Sequence, residues 1–311
     1  MLSVVSWIAL AVILAALVLA WTGRFLAVGS LAVANLVIYV MTDFGPHVTV
    51  GGTDAAVLHL ELGLWGDNLY HARPMGFVQL VSSMFIHADF FHLFGNLIVL
   101  LAFALPFEER IGRRPFLLMY LGAGLIGALA QVGTHWGDPM LMMGASGAVF
   151  GIIGAFAAAY PRLVVPLPLP LVFIMVFVRM RVIIAALIFA VLQFLLLTWL
   201  DPLGGTAYMA HIGGLVGGIV LSLAYIRVRG LPQDRRRPVV LSVSTLAAFA
   251  QDPGTRQALE QMEKNRDAPE VFQAWWERFW QSARDPETGQ RVRPGPPGKV
   301  VREDGTVLDI A

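Results

Sequence analysis

Long apolar runs separated by short polar breaks dominate the first 229 residues of the chain. A run of about 18 or more apolar residues can cross a bilayer as a helix. The pattern predicts seven spans: Leu2–Ala20, Phe25–Met41, Phe90–Phe107, Phe116–Val132, Ser146–Tyr160, Val182–Leu200 and Tyr208–Ile226. The fifth is short unless it begins in the glycine-rich segment before it. The stretch Leu163–Val178 is equally apolar, but Pro166, Pro168 and Pro170 each remove a helical hydrogen bond, so it is expected to lie extended at the membrane surface.

Beyond Arg229 the pattern shortens. Leu241–Ala250, Pro253–Lys264 and Pro269–Ala283 read as short helices. In the last of these, Phe272, Trp275, Trp276, Phe279 and Trp280 recur at i, i+3, i+4, i+7 and i+8, giving one aromatic face that is expected to pack on the other short helices. Arg293–Gly298 reads as a linker, and Val300–Ile310 as a β-hairpin around Asp304-Gly305.

Composition sharpens this division. The 311 residues are 57% hydrophobic and 14% charged, with a mean hydropathy of +0.69, whereas a soluble domain carries about 25% charged residues. Of the 22 Lys/Arg and 21 Asp/Glu, only 10 and 9 fall before residue 230. The first part therefore reads as a membrane domain and the rest as a soluble tail. A net charge of +1 gives no electrostatic case for nucleic-acid binding. The absence of Cys excludes disulfides, thiol nucleophiles and cysteine-held metals.

Arginine placement orients the spans, because short cytoplasmic loops carry the excess of Lys/Arg. Arg24, then Arg110, Arg113 and Arg114, then Arg162, Arg179 and Arg181, then Arg227 and Arg229 occupy every second loop. The alternate loops hold mostly acids: Asp43, Asp54, Glu61 and Asp67 against Arg73, then Asp138, then Asp201. Seven spans with an external N-terminus and a cytoplasmic C-terminus give this alternation, and Arg235–Arg237 read as a further positive-inside stop signal. The first span has no Lys or Arg before it, and Ala20-Trp21-Thr22 is a poor cleavage site, which favours an uncleaved anchor over a signal peptide.

Polar residues inside spans are expensive in hydrocarbon and are functional candidates by default. His92 and Asn96 begin the third span, Ser146 the fifth and His211 the seventh. These three spans run in the same direction, so their polar ends lie at similar depth on the outer side. Ser146 sits in Gly144-Ala145-Ser146-Gly147, where small neighbours leave its hydroxyl accessible, and His211 could serve it as a general base. Gly147, Gly151 and Ala155 after Ser146, and Gly214 and Gly218 after His211, form small-residue faces that permit close helix contact. His92 and Asn96, at i and i+4, share a helix face and can donate hydrogen bonds, as can backbone N–H groups near Ser146; such donors suit a tetrahedral oxyanion. Phe150, one turn after Ser146, would project towards His211.

Each of these residues also has an ordinary structural reading. Small residues in membrane helices are more often packing than chemistry, and a lone His near a helix end is commonly interfacial. A metal held by His87, His92 and His211 is disfavoured by their spacing and the shortage of acidic neighbours, and no cofactor is called for. Asn35, Gln131 and Gln193 are expected to hydrogen-bond between helices.

Taken together, His87-Ala88-Asp89-Phe90-Phe91-His92-Leu93-Phe94-Gly95-Asn96, Gly144-Ala145-Ser146-Gly147 and Ala210-His211-Ile212-Gly213-Gly214 with Gly218 resemble the rhomboid family of intramembrane serine proteases. The resemblance covers about residues 25 to 229. It implies an all-α polytopic membrane protein with a six-helix core, preceded here by one extra N-terminal helix (1–24) and followed by a small soluble tail (230–311). By position, Ser146 would be the nucleophile, His211 the general base and acid, and His92, Asn96 and the Ser146 N–H the oxyanion donors. His87 looks like the family's structural histidine, and Phe150 takes a place often held by Tyr. Thr42–Phe77 looks like the family's long first outer loop; where some members carry a Trp-Arg pair, this chain has Val78-Gln79.

The resemblance further implies cleavage of single-span membrane proteins near the outer face, at small or helix-breaking residues, by a protein in a bacterial plasma membrane. Its partners would be transmembrane substrates and the lipid bilayer. A catalytically silent relative that binds membrane helices is the alternative, disfavoured by the joint presence of Ser146, His211, His92 and Asn96. A small-solute transporter is disfavoured because no inverted repeat is evident.

Overall fold

The computed structural model describes residues 2–23, 26–171, 174–199, 207–230, 246–265, 267–295 and 299–309. It divides into two compact units, residues 1–232 and 233–311.

The first unit opens with helices α1 (Val4–Thr22) and α2 (Ala27–Asp43). A loop region follows, containing the hairpin β1 (His47–Val50) and β2 (Thr53–Ala56), short helix α3 (Val57–Leu62), strand β3 (Leu64–Trp65), helices α4 (Gly66–Tyr70) and α5 (Pro74–Ser82), and a 3₁₀ turn at Ser83–Phe85. Helices α6 (Phe90–Ile111) and α7 (Arg113–Thr134) come next, then strand β4 (Leu141–Met142) and helix α8 (Ser146–Ala159). Strands β5 (Val164–Leu171) and β6 (Ile174–Arg181) lead into α9 (Val182–Trp199) and α10 (Tyr208–Arg229).

Each of the seven apolar runs thus contains a helix. Among the described residues, α1, α6, α7 and α10 are long and apolar enough to cross a membrane; α2 and α8 are shorter apolar helices, as is the described apolar part of α9, Val182–Leu192. Phe85, Phe103, Phe107, Phe116, Tyr120 and Phe156 fill the interior. Trp7, Leu14, Val33, Leu118, Leu187 and Val220 point outwards. A surface this apolar suits hydrocarbon rather than water.

The helices are positioned largely by polar contacts at their ends, where backbone groups lack partners within the helix. No side chain of its own caps α2; instead Glu108 of α6 accepts hydrogen bonds from the Ala27 and Val28 N–H groups, at 2.5 and 2.8 Å. Ser3 caps α1 and also donates, through its N–H and hydroxyl, to Glu61 of α3, both at 2.8 Å. Hydrogen bonds from the Ser3 backbone and from the Ser6 and Ser3 hydroxyls hold the Glu61 carboxyl below its ordinary value, although its partial burial opposes this. Asn35 donates to Leu31 of its own helix (2.8 Å) rather than across helices, whereas Gln131 of α7 accepts from the Ala210 N–H of α10 at 3.2 Å. The side chain of Gln193 lies outside the described residues.

The proline-rich stretch is extended, as its prolines predict, but it pairs with itself as an antiparallel hairpin in which Pro166, Pro168 and Pro170 face Arg179, Phe177 and Met175. The Val182 N–H donates to the Leu163 carbonyl at 2.8 Å, which makes Leu163–Val182 a hydrogen-bonded pair. Alternation then turns the backbone of Val164, Pro166, Pro168 and Pro170 to the outer edge, where three of these four residues have no N–H to leave unpaired. An all-helical fold is corrected in this respect: short antiparallel pairs accompany the helices because breakers in the loops stop helix propagation.

α8 and α10 meet backbone to backbone. A methyl group on Gly214 would overlap the Gly147 carbonyl, and one on Gly218 the Gly151 carbonyl. One turn further on, Ser222 donates to the Ala155 carbonyl at 2.9 Å.

The second unit contains α11 (Pro253–Lys264), whose capping box joins Asp252 and Thr255, α12 (Pro269–Ser282), and a three-stranded antiparallel sheet of β7 (Val292–Pro294), β8 (Lys299–Arg302) and β9 (Val307–Asp309). The expected hairpin is present, and Val292–Pro294, which overlaps the start of the expected Arg293–Gly298 linker, adds a strand to it. The first half of the expected Leu241–Ala250 helix (241–245) and the Arg235–Arg237 cluster lie outside the described residues, as does Arg24. Phe279 is fully buried with Met262, Phe249 and Val300, and Phe272, Trp275, Trp276 and Trp280 pack partly buried around them. The aromatic face is thus core. Buried Asp285 accepts from the Glu287 N–H, the Thr288 hydroxyl and the Arg302 guanidinium.

The close approach of α8 and α10 predicts that Gly218→Val destabilises the protein by about 1–3 kcal/mol or more, as overpacking does. Thermal unfolding in detergent should show a lowered midpoint, whereas Gly95→Ala, at a position with open space beside it, should leave the midpoint nearly unchanged.

Candidate active site

The N-terminal ends of α6, α8 and α10 converge. Asp89 caps α6 by accepting the His92 N–H at 2.9 Å, which fixes the helix start and thereby the height of His92 and Asn96. Gln131 performs a similar service for α10 one residue before His211. α8 begins at Ser146 with no side-chain cap, which leaves its first backbone N–H groups available.

At this junction the His211 Nε2 and Ser146 Oγ are 2.7 Å apart. The Phe150 ring stacks on the His211 imidazole, with centroids 4.6 Å apart and planes 10° from parallel, and Tyr208 meets the same imidazole edge-on. Ring packing of this kind fixes the imidazole plane, so that Nε2 stays directed at the hydroxyl.

The turn before Ser146 is held from three sides. Gly144 has φ +122°, a conformation open to glycine, and its N–H donates to the Ser83 carbonyl at 2.9 Å. A side chain on Gly144 would meet His92 Cε1 and Nε2 at 2.7 Å, which puts the His92 ring directly beside the turn. The Ala145 N–H donates to His87 Nε2 at 3.4 Å. Burial, with the nearby His92 adding to it, pushes the His87 imidazole down to about 3, so its Nε2 is available as an acceptor. His59 Nε2 contacts the His87 carbonyl at 3.0 Å, tying α3 to the same region.

Asn96 is nearly buried, and its Nδ2 donates to the His92 carbonyl at 2.9 Å. The structure therefore brings Ser146, His211, His92, Gly144 and Phe150 into one cluster, with His87 behind the turn. Gly147, Gly214 and Gly218 make the helix contact beneath it. Asn96 sits one turn below His92 with one amide hydrogen engaged by the backbone. A cavity of about 20 Å³ lies against Ser146, lined by Ser83, Met84, Gly124, Met142 and Ala207 among others.

The Rhomboid domain family model matches residues 74–228. The chain is 32% identical over 151 residues to "Putative rhomboid protease YdcA" of Bacillus subtilis (strain 168), an alignment covering 48% of this chain and 67% of that protein. The chain belongs to the rhomboid family. It is also 32% identical over 158 residues to "Rhomboid-like protease 3" of Toxoplasma gondii, covering 50% of this chain and 54% of the relative, and 28% identical over 203 residues to "Rhomboid protease AarA" of Providencia stuartii, covering 60% and 69%. The chain thus spans about half the length of the Toxoplasma relative. It is classed with the rhomboid-type intramembrane serine proteases and is an integral membrane protein.

This rhomboid also relies on residues that motif reading passed over. Gln79 is fully buried; its Oε1 accepts from Asn68 Nδ2 at 2.9 Å and from the Trp65 N–H at 3.4 Å, and its Nε2 donates to the Glu61 carbonyl at 3.0 Å. The Val78-Gln79 departure therefore supplies the loop with its own polar hub. Through Trp65, that hub reaches β3, which pairs with β4 just before the Ser146 turn. Glu108, just past the end of the third apolar run, carried no motif to mark it; its burial is what reveals its role.

The turn can be probed at Gly144 and at His87. Gly144→Ala, which puts a side chain at φ +122° and 2.7 Å from the His92 ring, should lower the unfolding midpoint and reduce fluorophosphonate labelling of Ser146 at least tenfold in the protein that remains folded. The second concerns His87, whose folded value lies below its ordinary 6.5: its contribution to stability is complete above pH 6.5 and is lost as pH falls towards 3. The unfolding midpoint should therefore drop between pH 6.5 and 4.5, and His87→Gln should flatten part of that slope.

Proposed function

We propose that this chain is an active intramembrane serine endopeptidase that cuts single-span membrane proteins near the outer face of the bilayer through a Ser146/His211 dyad. The observation that carries the reading is the 2.7 Å approach of Ser146 Oγ to His211 Nε2 beside the uncapped start of α8.

In this reading Ser146 Oγ attacks the substrate's peptide carbonyl carbon as His211 Nε2 takes the hydroxyl proton. The negative charge that develops on the carbonyl oxygen is met by the Ser146 N–H and by the His92 imidazole, with Asn96 joining once its amide turns from the His92 carbonyl. His211 returns the proton to the leaving nitrogen, which frees the C-terminal piece and leaves an acyl ester on Ser146. Water, deprotonated by His211, then hydrolyses the ester and restores the hydroxyl. The 20 Å³ cavity beside Ser146 admits only a small side chain, which supports a preference for small residues next to the cut bond. A helical substrate must also unwind there to present its carbonyl, so helix-breaking residues near the site lower the cost.

The finer architecture belongs to the same proposal: one extra N-terminal span (1–24), a six-span protease core (25–229) and a cytoplasmic tail (230–311), with the N-terminus outside a bacterial plasma membrane. It is supported by the grouping of arginines. Arg110 lies over the Tyr160 ring at the far end of α8 from Ser146, and Arg114 and Arg229 line one cavity at the far ends of α7 and α10. The candidate site is at the opposite ends of α6, α8 and α10.

Purified protein in detergent, given a panel of single-span reporters, should cleave at least one of them. Ser146→Ala and His211→Ala should each lower the rate by about 10⁴-fold or more, as loss of a hydrolase nucleophile or base does. Cleavage by Ser146→Ala at the wild-type rate would remove the dyad from the mechanism, and no cleavage of any reporter would favour the silent alternative.

A further inference from the structure

Far from the candidate site, α7 and α10 diverge to leave a groove of about 550 Å³, lined by Arg114, Leu118, Met119, Leu221, Tyr225 and Arg229 among others. Its residues are ordered by chemistry along the helix axes. Arg114 lies in the first turn of α7 and Arg229 in the last turn of α10, so both cations stand at one end. Leu118 and Leu221 lie deeper into the apolar part of the two helices; Leu118 is 59% exposed, and Gly122 provides a floor against which the Leu221 side chain rests at 3.0 Å from the position a methyl group would take.

The guanidinium carbon of Arg114 lies over the Trp21 ring of α1, 5.2 Å from its centre. A guanidinium held by a cation–π contact forms no hydrogen bond through that contact, and its N–H fork matches a phosphate oxygen pair. Trp21 itself, at the end of α1, is the kind of residue that marks a membrane–water boundary. Among the described residues no carboxylate pairs with Arg114 or Arg229. Two arginines at the interface above an apolar groove within the bilayer complement one molecule that carries a negative head on a hydrocarbon chain. Basic pockets between membrane helices hold anionic lipid heads in this manner.

We propose that the α7/α10 groove binds one anionic glycerophospholipid, with its phosphate between Arg114 and Arg229, the Tyr225 hydroxyl nearby, and an acyl chain along Leu118 and Leu221. The site is independent of the Ser146/His211 reading, since it needs only that the chain be membrane-embedded.

The test is native mass spectrometry of the full chain in detergent, titrated with phosphatidylglycerol and, separately, with phosphatidylcholine of the same acyl composition. One phosphatidylglycerol should bind at least tenfold more tightly than phosphatidylcholine. The Arg114→Gln/Arg229→Gln protein should lose that preference, while Arg162→Gln/Arg179→Gln should keep it. Leu221→Trp, which fills the groove and leaves both cations, should weaken binding of the first lipid at least tenfold. Equal binding of the two lipids by the wild type, an unchanged preference in the Arg114/Arg229 variant, or displacement of the bound lipid by millimolar inorganic phosphate would overturn the proposal. So would unchanged lipid binding by Leu221→Trp. A variant that does not fold is recognised by its lost unfolding transition, and Arg114→Lys/Arg229→Lys then takes its place: it keeps the charges, and should retain part of the preference while losing affinity.

Discussion

The contact between α8 and α10 sets the terms for everything around it. In hydrocarbon, helices gain nothing from burying apolar surface against one another, so association rests on packing distance and on hydrogen bonds. Gly147 against Gly214, Gly151 against Gly218 and Ala155 against Ser222 give three successive levels at which the backbones nearly touch, the last sealed by a hydrogen bond. Side chains of ordinary size at these levels would move the axes apart, and the separation of Ser146 from His211 would grow with them. The hydrogen bond at the top of this interface is thus a reading of the glycines below it.

The remaining elements convert that contact into a defined cluster. Asp89, Gln131 and Glu108 each satisfy backbone groups at the start of a helix, two of them from a neighbouring helix, so the axial positions of α2, α6 and α10 are fixed by polar bonds rather than by slippery apolar surfaces. The loop between α2 and α6 contributes from the side. Gln79 organises it, and the β3/β4 pairing joins it to the segment that leads into Ser146. A change in this loop is therefore felt at the turn without touching Ser146.

Much of this was legible in the sequence. The seven apolar runs each hold a helix because length and hydropathy are local properties. The small-residue periodicity after Ser146 and after His211 foretold the interface because it repeats every four residues. The proline stretch was readable as non-helical, although its self-pairing was not, since register depends on a turn that apolar composition does not encode. What Gln79, Glu108 and the β3/β4 pair do was not readable for a related reason: each acts through partners 11 to 81 residues away. Asn35 shows the converse. A lone amide in an apolar run invites an interhelical reading, yet its nearest acceptor is the carbonyl one turn back on its own helix.

The β5/β6 hairpin carries a consequence for the life of the chain before it is fully assembled. A two-stranded ribbon ordinarily offers each outer edge as a template on which any extended polypeptide can grow a further strand. Along β5, the alternating prolines delete the donors such a newcomer would need. Along that edge the segment can therefore be as oily as a membrane helix, remain extended, and still be a poor seed for the sheet-like aggregates that oily extended segments otherwise start; only the β6 edge keeps its donors.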